Sequence, residues 1–407
     1  MCLHAFVWFV GGERVGRMKI EHGSDMVDCN ALTQAEPALP AGWYYDEDHH
    51  RRELDAIWFR NWVYVCRASA IAEPLAFQTL QLDTQNIVVV RTGDGSLQAY
   101  HNTCRHRGSV LCDAAAGKLG SRLIVCPYHQ WSYAADDGRL VQTSSFSEPA
   151  GFHKDDYSLH KVAVAEWRGC VFVNLDEAAV FDEATAVDRP PDVFDRFPLA
   201  SMVVGETWRT EIRCNWKSFW ENFNECLHCP NVHPELSDLV PLYSRRITEP
   251  ADRPDWREHA ASDDPKFRGG LRAGAETWST DGRAQGHVIS TLADDGFAPG
   301  QTYASIWPSV FIGGFADHMR IVRLLPLGPE RMELRAEWLF EADTLEDPDY
   351  DTSNVVDFAR LVMEQDGAAC ELNQRGIRSR AFRHGVLMPE EYELKRFHDW
   401  VRACLVP

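Results

Sequence analysis

The chain has 407 residues, 45% of them hydrophobic, and a formal net charge of −20. That length and apolar content suit two domains, or one large one, with a full buried core. The negative charge excludes nucleic acid and anionic membrane as partners, because both would be repelled, and no run of about 18 apolar residues is present to span a bilayer.

Residues 1–40 carry little pattern. The apolar run Ala5–Val10 lacks a basic leader and a small-residue cleavage site, which makes it a poor signal peptide. Met18 and Met26 are alternative starts. Residues 41–187 read as a first domain. It opens with an amphipathic helix over Asp46–Phe59, with Leu54, Ile57 and Trp58 on one face. Short β-like runs follow at Trp62–Cys66, Ile87–Arg91 and Val171–Leu175, with turn signals at Gly93-Asp94-Gly95 and Asp137-Gly138. Strands this short predict a compact all-β module.

Inside that module lie Cys104-Arg105-His106 and Cys126-Pro127-Tyr128-His129, with 19 residues between His106 and Cys126. Zinc ribbons usually pair two cysteines in one turn and two histidines elsewhere. Here each loop offers one thiolate and one imidazole. That is the ligand set of a Rieske [2Fe–2S] centre, Cys104 and Cys126 on one iron, His106 and His129 on the other. A lone Cys-x-His triplet is most often packing or surface. Two such units in series, one followed by Arg107-Gly108 and the other by Gln130-Trp131, are hard to produce by chance. Ala114-Ala115-Ala116-Gly117 reads as a surface-loop insertion, and Cys112 as a non-ligand. Such a centre relays single electrons and needs free thiolates. Twelve cysteines in a chain this long therefore point to a reducing cytoplasm and not to a disulfide framework.

Asp188–Asp192 reads as a linker, and residues 188–407 as a second, α+β domain. The pattern predicts a strand at Thr207–Cys214, then a helix-compatible run Asn215–Cys229. Residues 249–300 are loop-dominated and suit a lid or substrate-access region. Further β runs are expected at Tyr303–Phe315, Met319–Leu327 and Arg331–Phe340. A long helix runs from Ser353 to about Arg375, and a last one over Pro389–Cys404. This describes an antiparallel sheet wrapped around a long helix.

A second metal site is legible in this half. His228 and His233 are five residues apart, about 140° around an ideal helix. Pro230 between them ends or kinks the helix, placing His228 on its last turn and His233 on the chain just beyond. Glu225, three residues before His228, shares that face. Two imidazoles and one carboxylate leave three positions of an octahedral ferrous ion open, the facial triad of non-haem iron oxygenases. Asp366 is the candidate carboxylate, because it falls in the middle of an otherwise apolar-faced helix; Glu364 and Glu371 compete. No Gly-rich dinucleotide fingerprint follows a strand, so NAD(P)H and flavin belong on a separate reductase. Trp278, Tyr303, Trp307 and Phe315 fall in the pocket-forming region and offer cation–π walls to a methylated ammonium, although sheet packing alone accounts for each.

Together, Cys104-Arg-His106-Arg-Gly108, Cys126-Pro-Tyr-His129-Gln-Trp131, Asn215-Trp-Lys217, Glu221-Asn222, Glu225-x2-His228-x4-His233 and Gln365-Asp366 resemble the catalytic α subunit of Rieske non-haem iron oxygenases, also called ring-hydroxylating oxygenases. The resemblance implies an all-β Rieske domain followed by a helix-grip (START-like) catalytic domain. It implies Asp366 as the third iron ligand, O2 as co-substrate, and a reductase or ferredoxin as electron donor. It also implies that Glu225 links His228 to His129 of the partner subunit in a head-to-tail trimer, here a homotrimer. The wording Glu225-Cys-Leu-His-Cys229 and Cys370-Glu-Leu-Asn-Gln-Arg-Gly-Ile377 is similar to the betaine, choline and quaternary-amine monooxygenase branch. Oxidative N-demethylation of a betaine or methylated amine is the activity this implies. The alternatives are hydroxylation or cis-dihydroxylation of an aromatic acid, and a Rieske electron carrier without catalytic iron.

Overall fold

The computed structural model describes residues 34–293 and 300–406, together with Leu32 and the two-residue ladder Phe9–Val10 with Glu13–Arg14. The expectations for the chain start, Met18 and Met26 included, otherwise lie outside the described residues, as do residues 294–299 of the expected access region.

Asp46 starts the first helix, α1 (Glu47–Glu53), by accepting a hydrogen bond from His49 N at 2.8 Å, which satisfies one otherwise unpaired N–H. The helix continues as a wider turn over Leu54–Trp58 and buries the anticipated face, Leu54, Ile57 and Trp58. The first half then forms a seven-stranded antiparallel sheet. Its order in space is Val63–Arg67, Cys170–Asn174, Lys161–Trp167, Leu97–His101, Gln85–Arg91, Ala76–Leu82, Ala116–Lys118. A three-stranded sheet of Leu123–Val125, Ser132–Ala134 and Leu140–Gln142 carries the second Cys/His loop. The Ala114–Gly117 insertion departs from expectation. Ala116–Lys118 is an exposed edge strand paired with Ala76–Gln78. The inserted residues lie beside an edge whose backbone groups need partners, and pairing satisfies them.

The second half is built on a five-stranded antiparallel sheet of β1 (Val203–Ile212), β2 (Thr302–Ile306), β3 (Val310–Gly314), β4 (Met319–Gly328) and β5 (Arg331–Phe340), in the order β1-β5-β4-β3-β2. The expected run Tyr303–Phe315 is thus two strands. Pro308 has no N–H to give to a ladder, and the chain turns there. Helices α2 (Trp216–Phe223), α3 (Cys229–Val232) and α4 (Pro234–Leu239) follow β1. The 25-residue α5 (Ser353–Ile377) lies across the sheet, and α6 (Tyr392–Leu405) closes the chain. One apolar cluster runs from Leu54 and Trp58 through Trp216 and Trp220 to Val355, Ala359 and Met363 on α5, so both halves share a core.

Two fastenings tie the halves further. The 188–192 stretch is no free linker: Asp188 accepts from Ser305 N at 2.6 Å and from Arg396 Nη2 at 3.1 Å. At the other side Glu36–Pro40 pairs with His384–Leu387. Among the described residues no helix is long and apolar enough to cross a membrane.

Candidate metal centres

The two Cys/His loops are built to one plan. In the first, Cys104 N donates to Ser109 O at 2.8 Å and Gly108 N to Cys104 O at 3.0 Å. In the second, Cys126 N donates to Trp131 O at 2.8 Å and Gln130 N to Cys126 O at 3.0 Å. Gly108 and Gln130 occupy the same place in each loop, and both take positive φ, 77° and 56°. Glycine does so freely; Gln130 is held there against its preference by the loop bonds. Cys104 and Cys126 are buried at 3% and 1% exposure, whereas His106 is exposed and His129 half-buried. The two imidazoles sit 4.7 Å apart, centroid to centroid, and Trp131 stacks on His106 at 4.7 Å. Tyr133 OH lies 3.2 Å from Cys104 Sγ, where it can donate to a thiolate, and itself accepts from Arg105 N at 3.0 Å. Thiolates inside and imidazoles outside fit a mixed-ligand two-iron cluster with its histidine edge at the surface.

The second site differs from expectation in how its histidines are held. Helix α2 ends at Phe223 with Asn224 as its C-cap, not at His228. The reason lies in Glu225, whose carboxylate accepts from the backbone N–H of Leu227 and, at 3.4 Å, of His228, offering the chain an alternative to further helical turns. Pro230 then begins a helix instead of breaking one. His228 is the N-cap of α3, and His233 separates α3 from the Pro234 start of α4. Both histidines therefore stand at helix junctions and turn inward. Their rings lie 5.2 Å apart at 80°.

Asp366, on α5, meets them. Its Oδ1 lies 2.7 Å from His233 Nε2 and 3.5 Å from His228 Nε2, and one donor atom from each of the three side chains falls within 4.8 Å of the others. The two competing acids are elsewhere. Glu364 is exposed beside Arg360, and Glu371 accepts from Arg213 N at 3.0 Å. The outer nitrogens of both imidazoles are occupied. His228 Nδ1 is 2.6 Å from Glu225 Oε1, and His233 Nδ1 is 2.7 Å from Gln365 Oε1. An acceptor on Nδ1 fixes the proton there and leaves the Nε2 lone pair facing the centre, the arrangement that metal-binding histidines need.

Charge also favours a cation. Burial works against charging His228, yet the carboxylates of Asp366 and Glu225 outweigh it and lift its pKa to about 9. Burial likewise opposes ionisation of Asp366, but hydrogen bonds from His228 and His233 hold its carboxyl below the ordinary value. Two carboxylates on the imidazoles thus call for positive charge, which a divalent ion between three convergent donors supplies. Two nitrogens and one oxygen suit iron(II).

Of the four aromatic residues singled out, three gather in one cluster with Leu236 and Leu239 of α4 and Phe358 of α5, the helix that carries Asp366. Trp278, Tyr303 and Phe315 lie 5.3 to 6.2 Å apart by ring centroids. Trp307 packs instead on Trp220, Phe397 and Trp400, beside a separate cleft of about 340 Å³ lined also by Asn61, Asp188 and Arg396. Sequence reasoning had no role for Asn222, whose Nδ2 lies 3.4 Å from His228 Nε2, or for Tyr133, and named Gln365 only as a neighbour of Asp366. It expected no disulfide framework and singled out no pair; Cys226 and Cys229 are joined, because the turn between α2 and α3 brings their Cα atoms to 5.0 Å.

Residues 199–406 match the family described as ring hydroxylating alpha subunit (catalytic domain), and residues 61–159 match the Rieske [2Fe–2S] domain. The chain is 30% identical to the glycine betaine monooxygenase oxygenase subunit of Chromohalobacter salexigens, over 90% of this chain and 85% of that protein. It is 26% identical to the chloroplastic choline monooxygenase of Atriplex hortensis, over 93% and 81% respectively. Its fold matches the structure of a quaternary ammonium Rieske monooxygenase, reported with inter-subunit electron transfer in carnitine oxidation, with a TM-score of 0.69 at 22% identity over 90% of this chain and 95% of that one. The paired loops, the His228/His233/Asp366 convergence and these matches lead to one conclusion: the chain belongs to the ring-hydroxylating oxygenase α-subunit family, an oxidoreductase component that combines a Rieske [2Fe–2S] domain with an oxygen-activating mononuclear-iron domain.

Proposed function

We propose that this chain is the terminal oxygenase of a multicomponent system that removes an N-methyl group from a betaine or related methylated amine. The observation that carries the iron chemistry is the inward convergence of His228 Nε2, His233 Nε2 and Asp366, with Glu225 and Gln365 holding the outer nitrogens. Cys104, His106, Cys126 and His129 hold the cluster in this reading, and His228, His233 and Asp366 the ferrous ion. With both groups bound, the chain gains a single-electron relay and a centre that hydroxylates an N-methyl carbon with O2, the carbon then leaving as formaldehyde. The residues do the rest. Gln365 and Glu225 keep each Nδ1 protonated, and the face of Trp278, Tyr303 and Phe315 receives the cationic head.

Within the chain, Glu225 reaches His228 and the neighbouring backbone, and His129 is not among its partners among the described residues. The reading gives Glu225 a second role, in which it accepts from His129 of the partner subunit in a head-to-tail homotrimer, so that one carboxylate fixes both tautomers across the boundary. A separate reductase or ferredoxin, drawing on NAD(P)H through flavin, supplies the electrons. Names of relatives support the amine substrate, and the family assignment disfavours a pure electron carrier. Formaldehyde release and oxygen uptake across a panel of betaines and aromatic acids test the reading. Oxygen uptake with aromatic acids and no formaldehyde from any amine would replace it with aromatic-acid hydroxylation.

A further inference from the structure

Three buried or half-buried arginines line β4 and β5, and two of them have carboxylate partners. Arg323 Nη2 is 2.8 Å from Glu333 Oε1, and Arg335 Nη2 is 2.6 Å from Glu337 Oε1. Arg320 has none among the described residues. It is 6% exposed; its only hydrogen bond there is a long one, from Nη2 to Tyr303 OH at 3.5 Å, and its Nε has no partner. A guanidinium carries five donors and stays protonated in the interior, so this one is a desolvated cation awaiting an acceptor.

Its surroundings say where the acceptor sits. Arg320 pairs across the ladder with Gly313, and Gly313 with Tyr303. A Cβ on Gly313 would come within 2.8 Å of Tyr303 Cε1 and 3.0 Å of Phe315 Cε2, so its absence lets the Tyr303 and Arg320 side chains meet over the strand. The guanidinium lies 5.2 Å from the Phe315 ring centroid, next to Trp278 and Tyr303, and it feels the charge of Asp366. The cation therefore belongs to the same wall as the aromatic triangle, on the side of the sheet that faces the triad. Cation–π contact with Phe315 falls short of what burying a full charge costs.

We propose that Arg320 anchors a carboxylate of the substrate, so that the pocket selects amino acids and other carboxylate-bearing molecules over their neutral-tailed analogues. This rests on the preceding reading for the location of the reacting centre. It sharpens it as well. An ammonium alone would be repelled by Arg320, whereas a zwitterion sets its carboxylate on the guanidinium and its methylated head over Trp278, Tyr303 and Phe315.

The test is calorimetric binding to the iron-loaded holoenzyme of a matched set: glycine betaine, choline, which has the same head and a hydroxyl in place of the carboxylate, and benzoate, which has only the carboxylate. The expected result is glycine betaine binding roughly 10- to 100-fold more tightly than choline, the range of a buried charge-assisted pair. Arg320→Gln should erase that difference by weakening glycine betaine and, with the repulsion removed, leaving choline no weaker than before, and Arg320→Lys should restore part of it. Equal binding of glycine betaine and choline by the wild-type protein overturns the proposal without any variant. So does a preference that survives in folded Arg320→Gln. Benzoate binding that depends on Arg320, with no formaldehyde from any amine, upholds the anchor and sinks the demethylation reading. Formaldehyde release from methylated amines with no preference for carboxylates does the reverse.

Discussion

Gln365 and Asp366, neighbours on one helix, grip opposite nitrogens of a single imidazole: His233 Nδ1 lies 2.7 Å from Gln365 Oε1 and His233 Nε2 lies 2.7 Å from Asp366 Oδ1. The ring is clamped by the chain that also supplies the third donor. Replacing Gln365 by Leu frees Nδ1 and lets the ring rotate or change tautomer. The expected outcome is a fall in ferrous affinity of about 10- to 100-fold with the cluster content unchanged. Competitive iron titration against a chelator measures it, and unaltered affinity would count against an orienting role.

Glu225 sits on the other histidine and is the candidate link between subunits. With ferrous iron supplied in excess to offset the weaker hold on His228, Glu225→Ala should keep both iron centres spectroscopically visible and abolish turnover. Rapid mixing of reduced enzyme with substrate and oxygen gives the rate of cluster oxidation, expected to fall sharply once the carboxylate bridge is gone. Wild-type rates from this variant would refute the relay.

The Asn215-Trp216-Lys217 stretch serves the fold in a way that sequence did not disclose. Lys217 Nζ donates to Glu53 Oε1 at 2.6 Å, Asn215 Oδ1 at 2.7 Å and Trp43 O at 2.8 Å, using all three of its protons in a fully buried position. Trp216 Nε1 donates to the other oxygen of Glu53 at 2.9 Å. Burial opposes ionisation of Glu53, yet Lys217 and His49 hold its carboxyl below the usual value. Lys217→Met strands that carboxylate and should cost about 3–5 kcal/mol in urea unfolding. Adding Glu53→Gln should recover part of the loss; a double variant as unstable as the sum of the single ones would contradict this pairing.

A pH effect is expected away from the metal sites. Burial, with Asp252 nearby, pushes Glu249 up to about 7, and burial pushes Asp252 up to about 6. Raised folded-state values mean that the folded chain holds these protons more tightly. Their contribution to stability is complete below the unfolded carboxyl range and is lost as pH rises through about 6 to 7. Glu249→Gln should therefore stabilise the protein at pH 8 by about 1–3 kcal/mol and do little at pH 4. Denaturant unfolding at the two values measures it, and an equal effect at both would exclude this origin.

How far sequence carried depended on how local each feature is. The paired Cys/His loops were legible because Cys104 with His106, and Cys126 with His129, are held by turns a few residues long. The strand Arg331–Phe340 and the helix from Ser353 were legible from periodicity over ten residues or more. Pro230 was not, because proline breaks a helix from inside and begins one at its first turn, and only the Glu225 carboxylate bonding to Leu227 and His228 decides which. Asp366 stands 133 residues from His233, so periodicity could offer it beside Glu364 and Glu371, and only the folded chain shows which of the three lies against the histidines. Arg320 reads in sequence as one residue of a strand; that Arg323 has a counter-ion and Arg320 has none among the described residues is a fact of tertiary packing alone.

Two distinct iron sites in one chain are the centre of this account, and iron counted against acid-labile sulfide tests them together. Anaerobically purified wild-type protein should hold about three irons and two sulfides per chain, and Asp366→Ala about two of each. Zinc in either site, or the same iron count in both proteins, would contradict it.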